Sequence, residues 1–177
     1  MNTMDTVIGV FADHTTAEAA VKKLTAAGFE MKHLTIVGKG YETDEKVVGF
    51  YNVENRMVFW GKRGAFWGGL WGLFFGGLFV TVPFVGQIVV LGYFAAVIIS
   101  GIETALVVGA LSVFGAALYS IGIPKDSVLQ YETALKADEF LVMAHGDAED
   151  MKRAEDSLGT LQTSKLNRYH AAEPHAA

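Results

Sequence analysis

One stretch decides what this chain can become. Between Gly64 and Ile123 about sixty residues carry a single charged side chain, Glu103. The stretch opens with Gly64, Gly68, Gly72 and Gly76, four residues apart. A bilayer core accepts ~20 apolar residues per helical crossing, so the run is long enough to cross more than once. Glycines four apart lie on one face of a helix and let a second helix approach closely. The expectation is a glycine-zipper helical hairpin in a membrane, with Gly101, Ala105 and Gly109 forming a second small-residue stripe behind it.

Charge supports the same division. All 14 Lys and Arg lie outside the apolar run, eight before it and six after, in a chain of 177 residues. The net charge of −5 and the lack of a basic stripe argue against a nucleic-acid partner. There is no Cys, which excludes disulfides, thiolate chemistry and zinc–sulfur sites. The first residues lack the basic-then-apolar pattern of a secretory signal.

The flanks read as alternating elements. Thr6–Ala12 is β-rich, and Thr15 with Glu18 has the spacing of a capping box that opens a helix ended by Gly28. His33–Gly38 and Lys46–Val53 read as further strands. After the apolar run, Pro124–Lys136 reads as a helix with proline in its first turn. Glu139–His145 reads as a strand and Asp147–Thr160 as an added helix capped by Asp147. Joined, the flanks predict an α+β, ferredoxin-like order, β-α-β-β-[helical membrane insert]-α-β, with an extra C-terminal helix. The predicted division is residues 1–61 and 123–160 as one discontinuous cytoplasmic domain, 62–122 as the membrane insert, and 161–177 as a polar tail. Flanks on one side of a bilayer require an even number of crossings and put both termini in the cytoplasm.

Within the insert, Gly64–Val82 is the first predicted helix, Pro83–Gly86 its turn and Gln87–Ile99 its return. Lys62 and Arg63 mark the cytoplasmic entry, with Trp60, Trp67 and Trp71 as an interfacial belt. Ser100 and Glu103 repeat the capping-box spacing, which starts a third apolar helix over Thr104–Ile121. Glu103 is then expected at the membrane surface, ion-paired with Lys62 or Arg63.

Nothing in the chain marks a catalytic constellation, so no enzyme activity, cofactor or metal is expected. His14, His33, His145, His170 and His175 include no pair at ligand spacing, and His145 reads as structural. Gly38-Lys39-Gly40 lacks the rest of a phosphate loop and reads as a turn. Asp138-Glu139 and Glu149-Asp150 read as solvated surface.

The segments TVIGVFADHTTAEAAVKKLTAAGF, GAFWGGLWGLFFGGL and SIGIPKDSVLQYETALKADEFLVMAHG together resemble the bacterial general-stress, heat-induced protein family with a glycine-rich membrane insertion. The matching positions include Gly122, Ile123, Pro124, Tyr131 and Glu132, and the resemblance runs from about Thr6 to Gly146. It implies a stress-linked membrane protein and supplies no catalytic residues. The functional expectation is a non-enzymatic, stress-related, self-associating membrane protein whose ordered homo-oligomer scaffolds or reshapes the bilayer, its partners being the lipid of the inner membrane and further copies of itself. Two alternatives are a channel with Glu103 at its mouth and a ligand-sensing domain coupled to the hairpin.

Overall fold

The computed structural model describes residues 4–39, 77–82, 85–105 and 113–171. They form a mixed α+β arrangement around one antiparallel sheet of six strands. The strands are β1 (Asp5–Phe11), β2 (Leu34–Lys39), β3 (Gly77–Val82), β4 (Gly86–Gly92), β5 (Phe140–Gly146) and β6 (Lys165–Tyr169). The helices are α1 (His14–Ala26), α2 (Tyr93–Ala105), α3 (Val113–Ser120), α4 (Lys125–Lys136) and α5 (Ala148–Leu158). Across the sheet the order is β3-β4-β2-β5-β1-β6.

The four strands β2-β5-β1-β6 carry the split βαβ order of a ferredoxin-like unit, built as β1-α1-β2 and β5-α5-β6. Two assignments made from sequence change as a result. The helix at 148–158 and the strand at 165–169 are the second half of this unit, not an added helix and a polar tail. The intervening segment enters after the second strand, and it returns β3 and β4 to the same sheet. The predicted third strand, Lys46–Val53, lies outside the described residues.

Both faces of the sheet are covered. Alternation along each strand sends Val7, Phe11, Ile36, Leu91, Val142 and Ala144 to one face, where Leu24 of α1 and Met151, Ala154 and Leu158 of α5 close the core. Ile8, Val10, Val37, Val90, Leu141 and Met143 go to the other, against Phe94 and Ile98 of α2, Phe114 and Leu118 of α3, and Val128, Tyr131 and Leu135 of α4. Phe94 and Phe114 meet edge to face, ring centroids 5.7 Å apart, which fixes α2 against α3. Every residue of β5 is buried.

Over the described residues 77–92 the helical hairpin expected for the apolar run is replaced by strands. Residues 77–82 and 86–92 are paired strands, joined through Gly86 at φ +107°, rather than the end of one helix and the start of another. The β-branched side chains in Val80-Thr81-Val82 and Ile88-Val89-Val90 lose χ1 freedom in a helix and suit a pleated surface. α2 starts at Tyr93 and runs through Ser100, so Ser100 is not a cap. The single helix expected over Thr104–Ile121 is instead the end of α2 and a separate α3. Among the described residues no helix is long and apolar enough to cross a membrane.

Helix ends follow local chemistry. The α1 cap is Asp13, which accepts the Thr16 N–H at 2.7 Å, rather than Thr15. Gly28, at φ +97°, ends the helix as expected. Asp147 caps α5 in a full capping box with Asp150, which removes Asp150 from the class of free surface acids. Asp138 sits at φ +69° where the chain leaves α4, a conformation Asp tolerates better than most residues. Lys39 is in β2 rather than a turn, and its Nζ donates to the carbonyl of Lys136 at 2.9 Å, at the negative end of α4.

Candidate functional site

The buried polar groups gather at one end of the sheet, beneath α2. His145 is fully enclosed between Thr6 and Thr35, which are also buried. Its Nδ1 lies 3.0 Å from the Thr6 hydroxyl, its register partner on β1. Its Nε2 lies 3.0 Å from the Thr35 hydroxyl on β2. The same Thr35 oxygen accepts the backbone N–H of Phe94 at 2.9 Å. The Thr35 oxygen has a second lone pair and both hydroxyls can rotate, so the two threonines satisfy both ring nitrogens in either neutral tautomer. Tyr93 packs against the imidazole with the rings tilted by 43° and their centroids 4.4 Å apart. Gly92, at φ +97°, makes the turn that delivers Tyr93 and Phe94 there.

Burial pushes the His145 pKa down to about 3, with the charge of His33 adding to it. A neutral imidazole with both nitrogens engaged and no access to water neither relays protons nor binds metal. It ties β5 to β1 and β2 and fixes the start of α2. The expectation that His145 is structural agrees with this geometry.

A second polar group closes the far edge. Tyr131 of α4 and Tyr169 of β6 share a hydrogen bond of 2.8 Å, and Asn167 Nδ2 donates to the Tyr131 oxygen at 3.3 Å. Desolvation, reinforced by Tyr169, drives the Tyr131 pKa far above that of a free phenol. Beside it, Asp5 meets Arg168 at 3.4 Å and His170 at 3.1 Å, and accepts the Ala171 N–H at 3.0 Å. Burial opposes ionisation of Asp5, but these donors outweigh it and hold the carboxyl below its ordinary value. These contacts fasten β6 along β1.

Among the described residues no group of three or more His, Asp or Glu is placed to hold a metal. Gly101, Glu103 and Ala105 lie in α2. Gly64, Gly68, Gly72, Gly76, Gly109, Lys62, Arg63, Trp60, Trp67 and Trp71 lie outside the described residues, and so does the expected ion pair of Glu103.

The outer side of the α2–α4 layer leaves some large apolar side chains exposed. α2 buries Phe94, Ala95 and Ile98 against the sheet, while Ala96 and Ile99 face outward, Ile99 63% exposed. Tyr119 on α3 and Leu129 on α4 are also exposed. Lys125 Nζ stands 5.7 Å from the Tyr119 ring centroid. Sequence reasoning places the packing surface on the glycine stripe and passes over these three residues. Ile99 is legible in principle, because Tyr93–Ile99 is a run without a charge and one helix face cannot bury all of it.

The architecture is thus that of an α+β domain whose buried polar groups are structural and whose outer helical layer leaves Ile99, Tyr119 and Leu129 exposed. Residues 6–89 match the family model described as the heat induced stress protein YflT domain. That span covers β1, α1, β2, β3 and most of β4, just under half of the chain, and includes the glycine stripe. Neither the search of curated proteins nor that of solved structures gave a match.

Proposed function

We propose that this is a non-enzymatic, stress-related protein that works by self-association through the layer its apolar insert builds. The stress-related role rests on the similarity of residues 6–89 to the heat-induced family. The self-association rests on one observation: α2 buries Phe94, Ala95 and Ile98 against the sheet and leaves Ile99 63% exposed on its outer side. An apolar face left in water favours burial against a partner by roughly 25 cal/mol per Å² covered.

A second reading takes the same face to a bilayer surface. The observation favouring it is Tyr119 with Lys125 poised over its ring, a pairing suited to the headgroup level.

Sedimentation velocity of the purified chain over a concentration series, with and without anionic vesicles, tests both. Concentration-dependent dimers or larger species without lipid, reduced by Ile99→Glu, are expected. A monomer at every concentration that pellets with vesicles would replace the first reading by the second. A monomer indifferent to vesicles would remove both.

A further inference from the structure

The pocket around His145 is closed in two different ways. Its walls are strands. β1 is laddered to β5 from Asp5 to Phe11, and β2 to β5 from Leu34 to Val37, so parting either wall breaks a row of backbone bonds. Its roof is the half-buried ring of Tyr93. One hydrogen bond, from the Phe94 N–H to Thr35, ties that roof to the network, and Gly92 at φ +97° precedes it as a ready hinge. The first N–H groups of a helix have no acceptor within it, so the Thr35 oxygen is the partner Phe94 depends on. Lifting the roof costs this bond and the edge-to-face contact of Phe94 with Phe114.

We propose that the first turn of α2 is an acid-released latch: uptake of a proton by His145 is coupled to the lifting of Tyr93 and Phe94 about Gly92, while the sheet beneath stays closed. An imidazolium in this pocket has no counter-charge. The titratable groups on its side of the sheet are Tyr93, His33 just ahead of β2, and Tyr169 across β1 with Tyr131 of α4 behind it. His33 can only repel a second positive ring. Strand alternation puts Asp5 on the opposite face, where it meets Arg168, and Arg168 meets Glu155 of α5. The charged residues of α1 and α5 belong to that face as well. Lys125, Asp126, Glu132 and Lys136 lie outside the buried stripe of α4, and Glu30 pairs with Lys32 in solvent. Glu103 is near the far end of α2. A charge formed on His145 is therefore stabilised by water, and water reaches it at least cost by way of Tyr93. The latch lies in the layer proposed for self-association but works in a single copy, so it stands or falls separately.

Native-state hydrogen exchange of the full-length chain tests this, at pH 7.5, 6 and 4.5 and over a range of low urea, with rates corrected for the chemical exchange of each amide. The amides of Phe94, Val97 and Ile98 are expected to open with weak urea dependence, the mark of a local event. Those of Leu141 and Met143 in β5 are expected to exchange only with the strong urea dependence of global unfolding. A ring in water titrates near ~6.5, so the local opening constant of α2 should rise roughly twentyfold between pH 6 and pH 4.5 and little above pH 7. In His145→Phe the local opening should persist and its pH slope vanish. Tyr93→Ala removes the roof and leaves the network intact; it should raise the opening constant at pH 7.5 on the order of tenfold and keep the slope. Exchange of the α2 amides with the urea dependence of β5 at every pH overturns the latch. So does a local opening without a pH slope, or a slope that survives in His145→Phe.

Discussion

Nε2 of His145 lies 3.0 Å from the hydroxyl of Thr35, joining two residues 110 positions apart inside the sheet. Because the Thr35 oxygen also receives the Phe94 N–H, one imidazole holds β5, β2 and the first turn of α2 in register. A protonated ring would lose an acceptor there and place a charge among apolar groups.

This gives a pH dependence of defined sign. His145 titrates near 6.5 when the chain is unfolded and is pushed down to about 3 when folded. The unfolded chain therefore binds the extra proton first, so the full contribution is present above about pH 6.5 and drains away as pH falls toward 3. The slope is about 1 kcal/mol per pH unit inside that window. Urea unfolding at pH 8, 6 and 4.5 should show a steady loss in the native protein and a shallower one in His145→Phe. Equal slopes in the two would show that another group carries the effect.

Gly9 is a packing position rather than a turn. A Cβ there would lie 2.9 Å from Cε2 of Phe11 and 3.5 Å from Cδ1 of Leu158. Gly9→Ala should destabilise by about 1–3 kcal/mol through overpacking. The double variant with Phe11→Leu should recover part of that loss, measured as a positive coupling in denaturant melts.

Removal of residues 165–177 takes β6 away. Tyr131 then loses Tyr169 and Asn167, Asp5 loses Arg168, His170 and the Ala171 N–H, and β1 becomes an open edge. The expected outcome is a lower melting temperature together with aggregation on standing, since an unguarded edge pairs with its neighbours. A truncated chain that melts like the full one and stays dispersed would show β6 to be dispensable.

Asp147 accepts from the N–H groups of Glu149 and Asp150 at 3.0 and 2.9 Å. Asp147→Ala should cost about 1 kcal/mol, and Asp147→Ser should restore most of it, as read by thermal melting.

Elements with local signatures are legible in the amino-acid sequence. Turn residues, caps and periodicity locate β1, α1, α4, β5 and α5, and mark Asp147 as a cap. Partnership is what they do not convey. β3 and β4 lie in an apolar run, and where helices cover both sides of a sheet a strand has no polar-out alternation to separate it from a buried helix. β6 is hidden for the opposite reason: an edge strand wears polar side chains and reads as a tail. Thr6 and Thr35 are silent because their link to His145 spans 139 and 110 residues, and no periodicity reports such distances. The exposed Ile99 is masked because the glycine spacing draws the packing surface elsewhere.

The placement of β1 between β5 and β6 sets the order of events on the ribosome. β1 waits for both neighbours until residues 140–169 have been translated, on the order of ten seconds later. By the time β5 is made, the uncharged middle of the polypeptide has already been translated while β1 still lacks both neighbours.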